Sequence, residues 1–414
     1  MDPFFVVNVF LWLLFTFSAV LWLIILLENR HSIKDKLKLT RMPTVSIVIP
    51  AFNEENSIAE CIKSALRLDY PKKLMEIIVM NDCSTDKTRE IVEEFSEKGL
   101  VKLVNNEENM GKAYSLNKAI KMTKGEMFVC LDADSIITEN SLKKMIPYSY
   151  DPQIGAVTPA LKVKNKKNII EKVQFAEYLF SLFGRKVMGF VDSINVTPGS
   201  FSLYKKKVLE EVGGFEVGNL TEDMEMALRI HQFGYKIENT VEAICYTYCP
   251  SSFAALFKQR MRWYRGIAHN LIKYKHFYFR RKYGNLGMVF MPLNFLTIFV
   301  IVALLMTWTV RYTLMAFNTI TNLGMINWDM GQVLAGFSFD NFLFSVVYNT
   351  PVLPIMVLCV GGYAVYKGFT IGNEDIRKHK PDYIVYLIAY PFMLMFFWTI
   401  AMCYEIAGAK KKWR

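Results

Sequence analysis

The chain has 414 residues, 52% of them hydrophobic, with a net charge of +11. That length allows more than one domain and a sizeable core, and the apolar share is high for a protein that lives wholly in water. The seven cysteines lack metal or redox spacing, which speaks against a zinc or thiol-redox module, and the absence of an internal repeat or low-complexity stretch excludes a repeat array.

In chain order, the first element is Phe4–Leu27, 24 residues without a charge, long enough to cross a bilayer as a helix. "MDP" before it carries no Lys or Arg, and no small-residue cleavage site follows, so an uncleaved anchor is expected rather than a signal peptide. Arg30, Lys34, Lys36, Lys38 and Arg41 then place the central part in the cytoplasm, where the cysteines would stay reduced.

Beyond them the pattern alternates. "TVSIVIP" (Thr44–Pro50) reads as a buried strand and Ser57–Leu68 as an amphipathic helix. Strand Met75–Asp82, helix Asp86–Glu97, strand Val101–Asn106, helix Gly111–Met122 and strand Glu126–Asp134 follow. This alternation predicts an α/β fold with a doubly wound, mostly parallel sheet. Each strand ends in amides or acids: Asn53 and Glu54, Asn81 and Asp82, Asn105 and Asn106, Asp132 and Asp134. In such sheets ligands bind beyond the carboxyl ends of the strands, so this polar edge is the candidate site. Neither G-x-G-x-x-G after the first strand nor G-x-x-x-x-G-K-[ST] occurs, which argues against a dinucleotide fold and a P-loop.

"TED" (Thr221–Asp223) opens a further helix, and "QRMRW" (Gln259–Trp263) lies on another. Gln259, Arg262 and Trp263 stand at i, i+3 and i+4, on one helix face. The same stretch also fits an amphipathic helix lying on a membrane. There is no acid between Glu242 and Asp329, while residues 258–282 hold nine Lys or Arg; lipid headgroups and a polyanionic ligand are equal readings of that charge. Further spans are expected at Met288–Val310, Phe342–Tyr366 and Tyr383–Ile406, the last two kinked by Pro351, Pro354 and Pro391. Arg311–Asn341 is expected as an outside loop. Four spans would leave the basic tail "KKKWR" outside, against the charge rule, unless a segment near 312–340 enters the membrane or the last span is not one.

In "LDADS", an Asp-x-Asp at a strand end brings together two carboxylates suited to Mg²⁺ or Mn²⁺, although the same residues make ordinary turns. With "PAFNEE" (Pro50–Glu55), "NDCSTD" (Asn81–Asp86), "TED" and "QRMRW" in this order, Thr44–Gly266 resembles glycosyltransferase family 2, specifically its membrane-embedded branch of cellulose, chitin, hyaluronan and poly-N-acetylglucosamine synthases. The resemblance implies a GT-A-like sheet and a divalent cation. It also implies an inverting transfer from a nucleotide-diphosphate sugar, UDP-linked, to a growing β-linked polysaccharide. Pro50, Ala51, Asn53 and Glu54 match its nucleotide cradle and Asp82 the acid that reads the base. Lys112, in "GKAYSLN", lies near the nucleotide. Asp132 joins the nucleotide set, and Asp134 is the metal ligand. Asp223 matches the catalytic base, with Glu222 beside it; Gln259, Arg262 and Trp263 match the diphosphate and acceptor helix. Gly199 and Ser200, in "TPGS", sit at the acceptor loop, without the cysteine some relatives carry.

The implied plan is an anchor (1–30), a cytoplasmic nucleotide-sugar domain (31–250), interfacial helices (251–286) and a C-terminal transmembrane region (287–414) of a multi-pass cell-membrane protein. Its partners would be the sugar nucleotide, a carbohydrate or lipid-linked acceptor, membrane lipids and a partner membrane subunit, with no nucleic acid. Two rival readings stay open: one sugar transfer to a lipid, and a transporter or channel with a sugar-nucleotide-sensing domain. The few ionisable residues inside the spans speak against transport.

Overall fold

The computed structural model describes residues 3–33, 37–325, 328, 338 and 352–408. An eight-stranded sheet forms the centre. Its strands are β1 (Val45–Ala51), β2 (Met75–Asn81), β3 (Lys102–Asn105), β4 (Met127–Cys130), β5 (Ser135–Ile137), β6 (Ile154–Val163), β7 (Ser202–Lys205) and β8 (Lys236–Thr247). Around it run the helices α1 (Pro3–Glu28), α2 (Ile58–Leu66), α3 (Thr88–Glu97), α4 (Lys112–Met122), α5 (Ser141–Met145), α6 (Ile169–Gly189), α7 (Lys206–Glu211), α8 (Glu222–Gln232), α9 (Phe253–Lys273), α10 (Met291–Met325), α11 (Val352–Ile371) and α12 (Lys380–Ile406).

The strand order is β3-β2-β1-β4-β7-β6-β8-β5. The first four are parallel, as the alternation predicts. β7 runs antiparallel to β4 and to β6, β8 is parallel to β6, and β5 closes the edge antiparallel. The sheet is therefore mixed beyond β4. The parallel strands are apolar on both faces because both are covered. Ile47, Ile49, Val79 and Val129 meet Ile58, Ile62 and Val92 of α2 and α3. Val48, Ile78, Met80 and Phe128 meet Leu116 and Ile120 of α4 and Met226 and Ile230 of α8.

Register sets the site. Ala51 pairs with Asn81, and Asn81 with Asn105, so the residues after these strands share one edge. Cys130 of β4 lies opposite Ser202 of the antiparallel β7. The end of β4, leading to Asp132, thus meets the start of β7, where Gly199 and Ser200 arrive.

Helices α6 and α9 join the sheet to the apolar helices. Leu179, Phe175 and Ala176 of α6 pack on Val365 and Phe369 of α11. Tyr264 of α9 stacks on Trp398 of α12 at 4.5 Å between ring centroids. Among the described residues, two segments are long and apolar enough to cross a membrane, Leu286–Ala303 and Ile376–Ile406. The expected outside loop from Arg311 is corrected, since α10 continues to Met325. Between Leu293 and Leu323 there is no Gly or Pro to stop it. Its 35 residues extend about 50 Å, well beyond a ~30 Å hydrocarbon layer. Residues 342–351 of the expected third span and the tail from 409 lie outside the described residues; α11 covers the rest of that span.

Candidate active site

The polar edge is built first by Asp82. It follows β2, is buried, and accepts hydrogen bonds from Asn106 Nδ2 (2.8 Å), the Met110 amide (3.1 Å) and the Gly111 amide (2.8 Å). Asp82 therefore fixes the turn that starts α4, where Gly111 takes a φ of +86° that favours glycine. Asn53 stands at the other side with φ of +57°. Its side chain accepts from the Thr85 amide at 2.8 Å, joining the "PAFNEE" and "NDCSTD" turns. Pro50 and Ala51 are the last residues of β1, and the Ala51 carbonyl accepts from the Asp82 amide.

Lys112, the first residue of α4, is the hub. Its Nζ lies 2.5 Å from Asp132 Oδ1 and 3.3 Å from Glu222 Oε1. Burial opposes its charge, but the two carboxylates outweigh burial and hold it well above the usual lysine range. Ser200 donates to Asp132 Oδ2 at 3.1 Å. A Cβ at Gly199 would press on the Lys112 ammonium and both Asp132 oxygens, so a larger residue there would displace that ion pair. Asp132, Lys112, Gly199, Ser200 and Glu222, dispersed over 110 positions of sequence, thus converge.

Asp134 has Ser135 as its hydrogen-bond donor, at 3.2 Å. Burial first, then the charges of Asp132 and Glu54, push it up to about 7. That crowding is what a hard cation relieves. Among the described residues no three His, Cys, Asp or Glu side chains could hold a metal by themselves. The donor set fits an ion of the Mg²⁺ type, which uses one or two carboxylates and takes its remaining ligands from phosphates and water.

Asp223 is the second residue of α8. Its Oδ1 accepts from the Met224 amide at 2.8 Å. Burial first, then Glu222, push it up to about 6, against the opposing charges of Lys112 and Arg262. A first-turn acid is ordinarily favoured in its charged form by the helix dipole, and here burial wins. Thr221 occupies the N-cap position without a side-chain capping bond. It meets α9 instead: a Cβ on Gly266 would lie 2.5 Å from Thr221 Oγ1, and Asn270 donates to that oxygen at 3.0 Å. Thr197, before Gly199, donates through its amide and hydroxyl to the Asp223 carbonyl. The "TPGS" loop and the "TED" turn are therefore one unit.

On α9, Gln259 Oε1 is buried and has no hydrogen-bond partner among the described residues. Arg262 is near enough for its charge to act on Asp223. Trp263 is half-buried and packs toward the apolar cluster of α10 and α12, with the Arg260 guanidinium 4.3 Å from its ring. Arg260 stands in "QRMRW" between the predicted site residues Gln259 and Arg262. It is 2% exposed and pairs with Glu177 of α6 at 2.6 Å, and Tyr390 of α12 donates to the same carboxylate at 2.7 Å. Glu225 of α8 is fully buried and accepts from Lys273 of α9 (3.0 Å) and from Tyr274, which follows it (2.8 Å). Arg265 pairs with Glu405 at 2.6 Å. Part of the basic run is thus consumed by acids from other helices, which neither surface reading anticipates.

Residues 46–213 match the family model described as glycosyl transferase family 2. This segment is similar to family 2 glycosyltransferase domains. The chain is 36% identical over 225 residues to a poly-β-1,6-N-acetyl-D-glucosamine synthase of Staphylococcus epidermidis, covering 54% of each chain. It is 33% identical over 244 residues to the synthase of that name from Staphylococcus aureus strain MSSA476, covering 58% of each. The chain spans about half the length of the curated relatives it matches. In fold it is similar to the mannosyltransferase PcManGT from Pyrobaculum calidifontis, solved with GDP-Man and Mn²⁺. The TM-score is 0.60 at 19% identity, over 96% of this chain and 95% of that one. The matched segment accordingly carries a GT-A-like mixed sheet.

Proposed function

We propose that the chain is a membrane-embedded, inverting glycosyltransferase that moves N-acetylglucosamine from its UDP derivative onto a growing β-linked polysaccharide. The convergence of Lys112, Asp132, Gly199, Glu222 and the buried Asp223 carries this reading. The names of the staphylococcal relatives support the sugar and the polymer. The nucleotide lies along the ends of β1, β2 and β4, between Pro50–Glu54, Asp82, Lys112 and Asp132. α1, α10, α11 and α12 serve as membrane spans, with α9 at the interface.

Asp223 takes the proton of the acceptor hydroxyl as that oxygen bonds to the anomeric carbon. The bond from that carbon to the diphosphate oxygen breaks on the opposite face, and UDP leaves with the electron pair, inverting the centre. Its raised pKa suits the task, since general bases work best near the operating pH. A divalent cation held by Asp134, with Asp132 and Glu54 beside it, supplies Lewis-acid neutralisation of the leaving diphosphate. Arg262 adds a planar donor pair for phosphate, and Gln259 a buried acceptor for a sugar hydroxyl.

Purified protein in lipid, given radiolabelled UDP-N-acetylglucosamine and Mn²⁺, should release UDP and yield a ladder of long products. A single discrete lipid-borne product would overturn polymerisation in favour of one-step transfer. No turnover with any UDP- or GDP-sugar would overturn the enzymatic reading.

A further inference from the structure

A second cavity lies away from the sheet edge, between α1, α6 and α11. Its volume is about 420 Å³, within the ~300–1,000 Å³ of small-molecule sites. Its walls are apolar, with Ala19 and Trp22 from α1, Phe183 and Gly184 from α6, and Val360 and Ala364 from α11. Small residues hollow it out: among the described residues, the one atom within reach of a Cβ on Gly184 is Trp22 Cη2, 4.0 Å away.

One wall residue is charged. Arg185 reaches the cavity, and among the described residues its hydrogen-bond partner is the Pro159 carbonyl at 3.5 Å. Burial lowers it to about 10, so it stays cationic at neutral pH. The charge of Asp223 offsets part of that burial, and the single long hydrogen bond leaves guanidinium donors, among the described residues, to meet an anion's oxygens. The outer faces of the flanking helices are exposed and apolar at Phe17, Val20, Leu23 and Leu27 of α1 and Tyr363 and Tyr366 of α11. On the membrane embedding proposed above, those faces meet lipid.

We propose that this cavity binds the hydrocarbon chain of an anionic membrane phospholipid, whose phosphate meets Arg185. The proposal rests on that embedding. The wall also contains Ile194–Val196, which lead into Thr197 and its bonds to the Asp223 carbonyl, so the occupant borders the acceptor side.

The test uses the full chain in mild detergent with phosphatidylglycerol carrying a mid-chain diazirine. Photolabel is expected on peptides of α1, α6 and α11. Unlabelled phosphatidylglycerol should compete at least tenfold better than phosphatidylcholine. Gly184→Leu, whose Cβ finds room but whose branch fills the cavity, should cut labelling tenfold, whereas Leu23→Trp on the exposed face should not. Arg185→Gln should erase the preference for the anionic headgroup. Equal labelling of G184L and wild type, or equal competition by both lipids in the wild type, would overturn the proposal. Release of the protein from vesicles by alkaline carbonate would overturn it differently, by removing the embedding itself.

Discussion

The sheet edge and helix α9 both contribute to the candidate site but are held there by different forces. At the edge, strand register and short turns do the placing. Ala51, Asn81 and Asn105 stand abreast in the ladder, and Asp82 ties the next turn through backbone amides. α9 has no such ladder. It is held by a close approach at Gly266, by Asn270, and by buried ion pairs reaching α6, α8 and α12. The edge is therefore tolerant of substitutions that spare its backbone, and α9 is sensitive to single side chains.

The largest effect belongs to the residue between the two regions. Asp223→Asn should lower transfer by about 10²–10⁴-fold, with sugar-nucleotide binding nearly unchanged. Wild-type turnover should fall about tenfold per pH unit below a midpoint near 6, because the base is lost on protonation. That limb should vanish in the variant. Undiminished activity of D223N would remove Asp223 as the base.

Next comes the pair that fastens α9. Arg260→Met leaves Glu177 buried and short of its cation, which costs about 3–5 kcal/mol. Thermal unfolding in detergent should report this as a clear drop in midpoint. Restoring balance with Glu177→Met in the same chain should recover most of it. An additive loss in the double variant would show that the ion pair does not fasten α9.

Gly266→Ala probes the contact between α9 and the "TED" turn. The new Cβ would lie 2.5–2.6 Å from the Thr221 side chain. The turn must shift, and a displacement of ~1 Å at a catalytic group can cost about 10²-fold. Thr221→Ala removes the two nearest atoms, so the double variant should regain part of the rate. If G266A alone turned over normally, the contact would have no bearing on catalysis.

This contrast also explains what the sequence reveals. The edge is written in consecutive residues: a β-branched run, then "PAFNEE"; an apolar run, then "NDCSTD" or "LDADS". Local pattern carries the strand, its end and its polar cluster together. The order β7-β6-β8-β5 is not written locally, because those pairings join strands separated by helices and by up to 112 positions, as in Ser135 opposite Thr247. Arg260 looks like one more basic residue in a basic run until folding brings Glu177 to it from 83 positions away. Gly266 gives no sign of its role without Thr221. α10 was misjudged for a different reason: Arg311 suggests a membrane boundary, yet charge does not end a helix in the way Gly or Pro does.

The smallest effect runs against intuition. Asp134 sits at about 7 when folded, against 3.8 for an ordinary carboxylate, chiefly through burial. Between those values the folded state holds its proton more tightly than the unfolded chain. Metal-free stability is therefore full below about pH 4 and falls as pH rises through 7. Asparagine is neutral throughout, so Asp134→Asn should raise the unfolding midpoint above pH 7 by about 2–4 °C for each kcal/mol relieved, and change nothing at pH 4. Mn²⁺ should reverse the ranking. At a hundred times its dissociation constant it stabilises a binding protein by about 2.7 kcal/mol, and that gain should appear in the wild type alone. Equal gains in both proteins would place the cation elsewhere on the sheet edge, away from Asp134.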